Sequence, residues 1–151
     1  MSRKKLLFTH RSSLITIFMG QPAAKQGDQI IAQDTHIVMV PAAPSPPTPT
    51  PLPHAFAGII NNGLSSDVKI MGQAAATAGS TADNNPPHLP MPPGTTFQKP
   101  PSNQATIQAG SPTVKINGKM AARNGDPAMT CNDPADLPAG TVIAVGTVFI
   151  G

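Results

Sequence analysis

Past its first 18 residues the chain carries three histidines, His36, His54 and His88, and its only cysteine, Cys131. Three imidazoles and one thiolate make a complete tetrahedral donor set for zinc, of the closed kind found in structural sites. Such a site supplies folding energy to a small body. The intervals between the four residues match no short zinc-knuckle pattern. Residue types alone leave a second reading open: a buried free thiol at Cys131 and three histidines on loops. Two contexts favour the metal. His54 and His88 each follow a proline, in Pro-rich stretches rigid enough to converge. Cys131 lies in Thr130-Cys131-Asn132-Asp133-Pro134, a turn-forming stretch. A zinc hydrolase would need an open metal position and a neighbouring general base. Four protein ligands leave no such position, and without any Glu the only carboxylate bases are Asp. No residue is therefore assigned a catalytic role, and hydrolysis is the lesser alternative.

The elements that must position these donors are built around a repeat. Gly20-Gln21-Pro22-Ala23-Ala24-Lys25-Gln26-Gly27-Asp28 returns as Gly72-Gln73-Ala74-Ala75-Ala76-Thr77-Ala78-Gly79-Ser80. It returns again as Gly118-Lys119-Met120-Ala121-Ala122-Arg123-Asn124-Gly125-Asp126. The shared form is G-x-x-A-A-x-x-G-[D/S]. The second and third copies also share a strand-like lead-in, Val68-Lys69-Ile70 and Val114-Lys115-Ile116. A repeated unit that cannot bury its apolar face alone must stack on its siblings. One body built three times over is expected, with longer insertions between units. The glycines permit positive φ and close backbone approach, and the Ala pair leaves room for tight packing. Asp28 and Asp126 read as turn builders. Lys25 and Arg123, at equivalent positions, read as solvated surface cations.

Composition points to strands. Pro (19) and Gly (13) are abundant in 151 residues and argue against helices. There is no Trp or Tyr and only five Phe, so a β-rich body with a thin core is expected. Thr35–Val40 and Asp67–Met71 read as strands. Ala105 to Gly118 reads as two short strands joined by a tight Gly-Ser-Pro turn, and Asn117-Gly118 is a further hairpin signal. Gly140 to Gly151 is β-branched and punctuated by glycine. Pro41–Pro53 and Pro86–Pro101 are dominated by proline. The first must be extended and cannot join a central strand; it is expected as an ordered loop wrapping the body.

The net charge of +3 misleads, because Arg3, Lys4, Lys5 and Arg11 all precede residue 19. The remainder is close to neutral and has no basic stripe with interleaved aromatics, so nucleic-acid binding is not supported. The single Cys131 excludes an intramolecular disulfide. Met1–Phe18 has basic residues before an apolar run, but His10, Arg11, Ser12 and Ser13 interrupt it. It reads as neither a signal peptide nor a membrane span, but as a disordered extension or an upstream start read as protein. Residues 19–151 form the expected domain.

The repeats, the lead-in Gly110 to Asn117 and the closing Gly146-Thr147-Val148-Phe149-Ile150-Gly151 together resemble the PAAR-repeat family, the small conical spike tips of contractile injection machines. The resemblance spans Met19–Gly151 and is to a PAAR-like subclass with long Pro-rich insertions. No copy keeps Pro-Ala-Ala-Arg intact: the first ends in Lys25, the second has Ala74 and Thr77, and the third has Met120. The resemblance implies an all-β cone of three pseudo-threefold hairpin units with Pro-rich insertion loops. It also implies one structural zinc near the apex, on His36, His54, His88 and Cys131. It implies a structural protein rather than an enzyme, seated as one copy on a trimeric spike of the VgrG type. Such a protein is made in the cytoplasm, assembled into a type VI or phage-tail-like particle and delivered outside or into a target cell. It meets a membrane only by transient piercing. The Pro-rich stretches could also serve as a cargo or effector adaptor. The chain stops at Gly151, so no toxin domain is expected behind it.

Overall fold

A computed structural model describes residues 20–151, so the Met1–Phe18 extension lies outside the described residues. Every regular element among the described residues is a β-strand, as expected of an all-β chain. In chain order these are β1 (Gln21–Pro22), β2 (Gln29–Ala42), β3 (Ser45–Asn62), β4 (Lys69–Ile70), β5 (Gln73–Ala74), β6 (Thr81–Asn84) and β7 (Thr96–Phe97). They continue as β8 (Gln104–Ile107), β9 (Lys115–Ile116), β10 (Lys119–Met120), β11 (Pro127–Thr130), β12 (Leu137–Ile143) and β13 (Phe149–Ile150).

The repeat lead-ins form small hairpins. β9 turns into β10 through Asn117 (φ 52°) and Gly118 (φ 78°), the two positive φ angles of a type I′ turn. Met71 (φ 52°) and Gly72 (φ 81°) make the same turn between β4 and β5. The first repeat has no adjacent lead-in; its partner is the far end of the chain, because β1 pairs with β13. Val148-Phe149-Ile150 thus stands where Val68-Lys69-Ile70 and Val114-Lys115-Ile116 stand in the other two. The amides of Ala23, Ala75 and Ala121 donate to the carbonyls of Val148, Val68 and Val114 at 2.9, 3.0 and 3.0 Å.

The second alanine of each pair closes a ring. Ala24 N–H donates to the Ala122 carbonyl (2.9 Å), Ala122 to Ala76 (3.1 Å) and Ala76 to Ala24 (3.0 Å). All three are fully buried, where the backbones come too close for a larger side chain. Against the ring, each hairpin contributes one isoleucine and one alanine to a common apolar cluster: Ile70 with Ala75, Ile116 with Ala121, Ile150 with Ala23. Each repeat then turns on a side-chain acceptor. Asp28, Ser80 and Asp126 accept from the amides of Lys25, Thr77 and Arg123 at 3.0, 2.9 and 2.6 Å. Lys25 and Arg123 are not solvated surface cations. They pair with Asp28 (3.1 Å) and Asp126 (2.9 Å), and their side chains are largely covered.

Beyond the ring the chain closes a barrel. Strands run in the order β12-β11-β8-β6-β3-β2, and β12 also pairs with β2, so six antiparallel strands close on themselves. Ile30, Phe56, Ile60, Ile107 and Val142 fill the interior with a set of alanines. Closure pairs each of the six strands on both sides within the barrel; the first half of β3 extends beyond it and pairs with β2 alone.

Two expectations are corrected here. The Pro41–Pro53 stretch is ordered but is not a loop; most of it is the first half of β3. Pro49, Pro51 and Pro53 stand opposite Met39, Ile37 and Thr35. Prolines at alternate positions 47, 49, 51 and 53 occupy the residues whose N–H would point away from β2, so no ladder bond is lost. Only β2 pairs with this stretch, since β6 first meets β3 at Gly58. The Gly110-Ser111-Pro112 turn does not join its flanking strands as a hairpin either. β8 belongs to the barrel and β9 pairs with β10, while Ser111 redirects the chain by accepting the amides of Thr113 (3.2 Å) and Val114 (2.9 Å).

Candidate metal centre

Strand alternation sets the first donors. Asp34 and His36 lie two apart on β2 and share its inward face, and His54 on β3 stands directly across from Asp34. The outer edge of β2 is held at this level by a turn. Thr35 N–H donates to Asn132 Oδ1 (2.7 Å) and Ile37 N–H to Asp133 Oδ2 (2.9 Å). That turn fixes Cys131 immediately after β11. His88 arrives on the loop after β6, with its amide donated to Asn103 Oδ1 at 2.8 Å.

All four histidine and cysteine side chains converge and are buried. The His36 ring lies 5.4 Å from His54 and 4.9 Å from His88 between centroids, and His54 lies 5.5 Å from His88. Cys131 Sγ is 3.7 Å from His36 Nε2. The tightest group of donors is not the expected four. Asp34, His36, His88 and Cys131 each offer an atom within 4.8 Å of the others, and this buried group could hold a metal ion. His54 is adjacent but outside it. Its Nδ1–H donates to the Leu52 carbonyl (2.9 Å), and its Nε2 accepts the Met91 amide (3.2 Å).

Asp34 is completely buried. Its Oδ1 accepts from the Thr130 hydroxyl (2.6 Å) and from Asn132 Nδ2 (3.4 Å). Its Oδ2 faces His88 Nε2 (2.9 Å) and the Cys131 thiol (3.5 Å). Burial pushes His36 and His54 below the ordinary imidazole value, with the neighbouring His88 adding to the effect. It pushes the Cys131 thiol up to about 11, and the Asp34 carboxylate adds to it. Both shifts have one physical origin, the cost of holding charge away from water.

The donor chemistry fits a divalent ion of the zinc type: imidazole nitrogens, a thiol and a carboxylate around one point. The surroundings fit as well. His36 Nδ1 is buried without a hydrogen bond and faces Asp133 Oδ2 at 3.4 Å, the carboxylate–imidazole arrangement that orients metal-bound histidines. Phe97 of β7 meets His36 edge-on and His54 at a tilt, with ring centroids 5.8 and 5.4 Å away, and adds an apolar neighbour to the centre. A groove of about 400 Å3 between Ala55–Ala57 and Pro86–Met91 reaches the rings of His54 and His88 from outside.

Asp34 and Asp133 escape a reading of histidine and cysteine counts. The signal was Asp34-Thr35-His36, where period-2 alternation puts the carboxylate and the imidazole on one face. The strand expected from Thr35 began one residue too late to include it. Compared with family models, with curated proteins and with solved structures, the chain gives no match.

Proposed function

We propose that this chain is a PAAR-like spike tip, a structural and non-enzymatic cap on the trimeric spike of a contractile injection machine. A zinc bound by His36, His88, Cys131 and a fourth neighbouring donor holds its tip together. The observation that carries the reading is the set of exposed valines beside the ring. Val68, Val114 and Val148 occupy equivalent positions in the three hairpins and are exposed to 37 %, 37 % and 40 %. A single chain that presents the same apolar feature three times suits a partner that is itself threefold, with one chain of a C3 trimer for each hairpin. Short hairpins with open edges also allow the partner's strands to be continued.

Bound zinc would tie β2, the His88 loop and the Cys131 turn together in a body whose core is mostly alanine. The donors are buried, so the centre suits cross-linking rather than turnover, and zinc-dependent hydrolysis is not expected. A cargo role is compatible. Pro47, Pro49, Pro51 and Pro53 give β3 a rigid exposed flank that an effector could use without loss of entropy in the arm. Replacing Val68, Val114 and Val148 together by Ser tests the docking reading. Loss of spike binding with the melting temperature and metal content kept supports it; retained binding refutes it.

A further inference from the structure

We infer that the main chain at Ala55 is a docking notch for an extended peptide segment of a partner protein. The segment adds to β3 as a short strand and buries an apolar side chain in the groove beside it. The notch belongs to the barrel and not to the three hairpins, and the inference holds whether or not the hairpins meet a spike.

An open pair of main-chain groups marks the place. In this part of β3 the odd-numbered residues point their N–H and C=O away from β2. Ala57 has both groups engaged: its amide donates to Asn84 Oδ1 (2.9 Å), and its carbonyl accepts the Asn85 amide (3.2 Å). Two residues earlier, Ala55 turns the same pair outward, and neither group meets a partner among the described residues. The sequence explains the gap. The register that sets Gly58 opposite Asn84 would bring Pro87 opposite Ala55, and proline has no N–H to give. From Pro47 to Pro53 the same edge offers carbonyls alone, because those odd positions are prolines. Ala55 is where a second strand can first exchange both bonds.

The groove of about 400 Å3 between Ala55–Ala57 and Pro86–Met91 opens beside this pair, and no acid, lysine or arginine lines it. Leu89 and Met91, also in its lining, are 77 % and 44 % exposed, two large apolar side chains that a partner would cover. Together these features specify one kind of occupant. A free amide and carbonyl on one residue match an extended backbone, and apolar walls match an aliphatic side chain next to it. A helix does not fit, since its main-chain groups are already bonded within it. Added antiparallel, like every strand of this sheet, the residue opposite Ala55 exchanges two bonds. The residue two further on donates its amide to the Pro53 carbonyl, so neither of these two partner positions is proline.

Main-chain recognition tolerates sequence, so a capped Thr-Val-Ile-Val-Thr peptide serves as the probe. It is titrated into the full chain and followed by amide NMR and hydrogen exchange. The Ala55 amide is expected to shift saturably and to exchange more slowly, and the Leu89 and Met91 amides to shift with it. Ala55→Pro continues the proline series, keeps the bonds to β2 and should weaken the peptide about fivefold by removing one hydrogen bond. Leu89→Ser, at an exposed position, should weaken it comparably with the melting temperature kept. No shift at Ala55, or unchanged peptide affinity in either variant, overturns the inference. An Ala55 amide protected in the free chain at every concentration means that the chain fills its own notch, and one protected only at high concentration means a second copy does. Both also overturn it. The docking reading is untouched by any of these results, because it is read from Val68, Val114 and Val148.

Discussion

Burial favours the uncharged forms of Cys131, His36 and His54, and the sharpest expectations for single residues follow from it. His36 and His54 have folded values below 6.5, so the folded chain resists protonation that the unfolded chain accepts. A depressed value contributes stability above the unfolded value, and that contribution is lost as pH falls. The metal-free chain should therefore lose melting temperature steadily below pH about 6.5. Cys131 shifts the other way, from 9.0 to about 11, so its contribution is lost as pH rises through that window. Thermal melts in chelator from pH 5 to pH 10 check both arms; a curve that is flat or rises on the acid side contradicts this origin of the shifts. Cys131→Ser should cost metal retention and lower the melting temperature of the loaded protein by more than ~5 °C, the equivalent of about 1 kcal/mol. In chelator the same substitution should matter much less, because a hydroxyl fills nearly the same space.

At the scale of elements, the ring and the proline arm make separate demands. Ala24, Ala76 and Ala122 exchange backbone bonds at a fully buried junction, so Ala122→Leu overpacks it and should cost about 1–3 kcal/mol. Denaturant melts read this directly, and a stability change below about 0.5 kcal/mol would mean the junction is looser than its bonds indicate. The arm works by omission. Pro47, Pro49, Pro51 and Pro53 remove donors from the free edge of β3, which blunts it against pairing with another chain. Replacing Pro49 and Pro51 by Thr restores two edge donors and should produce concentration-dependent self-association, visible by sedimentation; a strictly monomeric variant contradicts that role. These elements also mark what the sequence disclosed. Gly and Ala at fixed offsets made the three repeats legible, since only those residues suit the turns and the ring. The alternation of Pro with Thr and Leu from Pro47 to Pro53 carried the period of a strand, but proline's missing donor argued louder for a loop. Val148-Phe149-Ile150 was readable as a strand. Its place as the lead-in of the first repeat was not, because the closure joins residues from opposite ends of the chain. Of the centre, the His and Cys residues were legible by type. Asp34 was hidden because its chemistry depends on which face of β2 it occupies.

For the whole molecule, the three hairpins and the closed barrel divide the labour. The hairpins give three like surfaces beside the ring, and the barrel carries the His/Cys centre and the long β2–β3 arm away from them. In the proposed role the apolar surface near Val68, Met71, Val114, Val148 and Phe149 is covered by the spike. Free protein should therefore aggregate more readily than the complex. The measurement that tests this account most directly is the native mass of the chain purified after co-expression with its cognate trimeric spike. One copy of this chain per three spike chains is the predicted result. Three copies per trimer, or no complex with the valines intact, would contradict it.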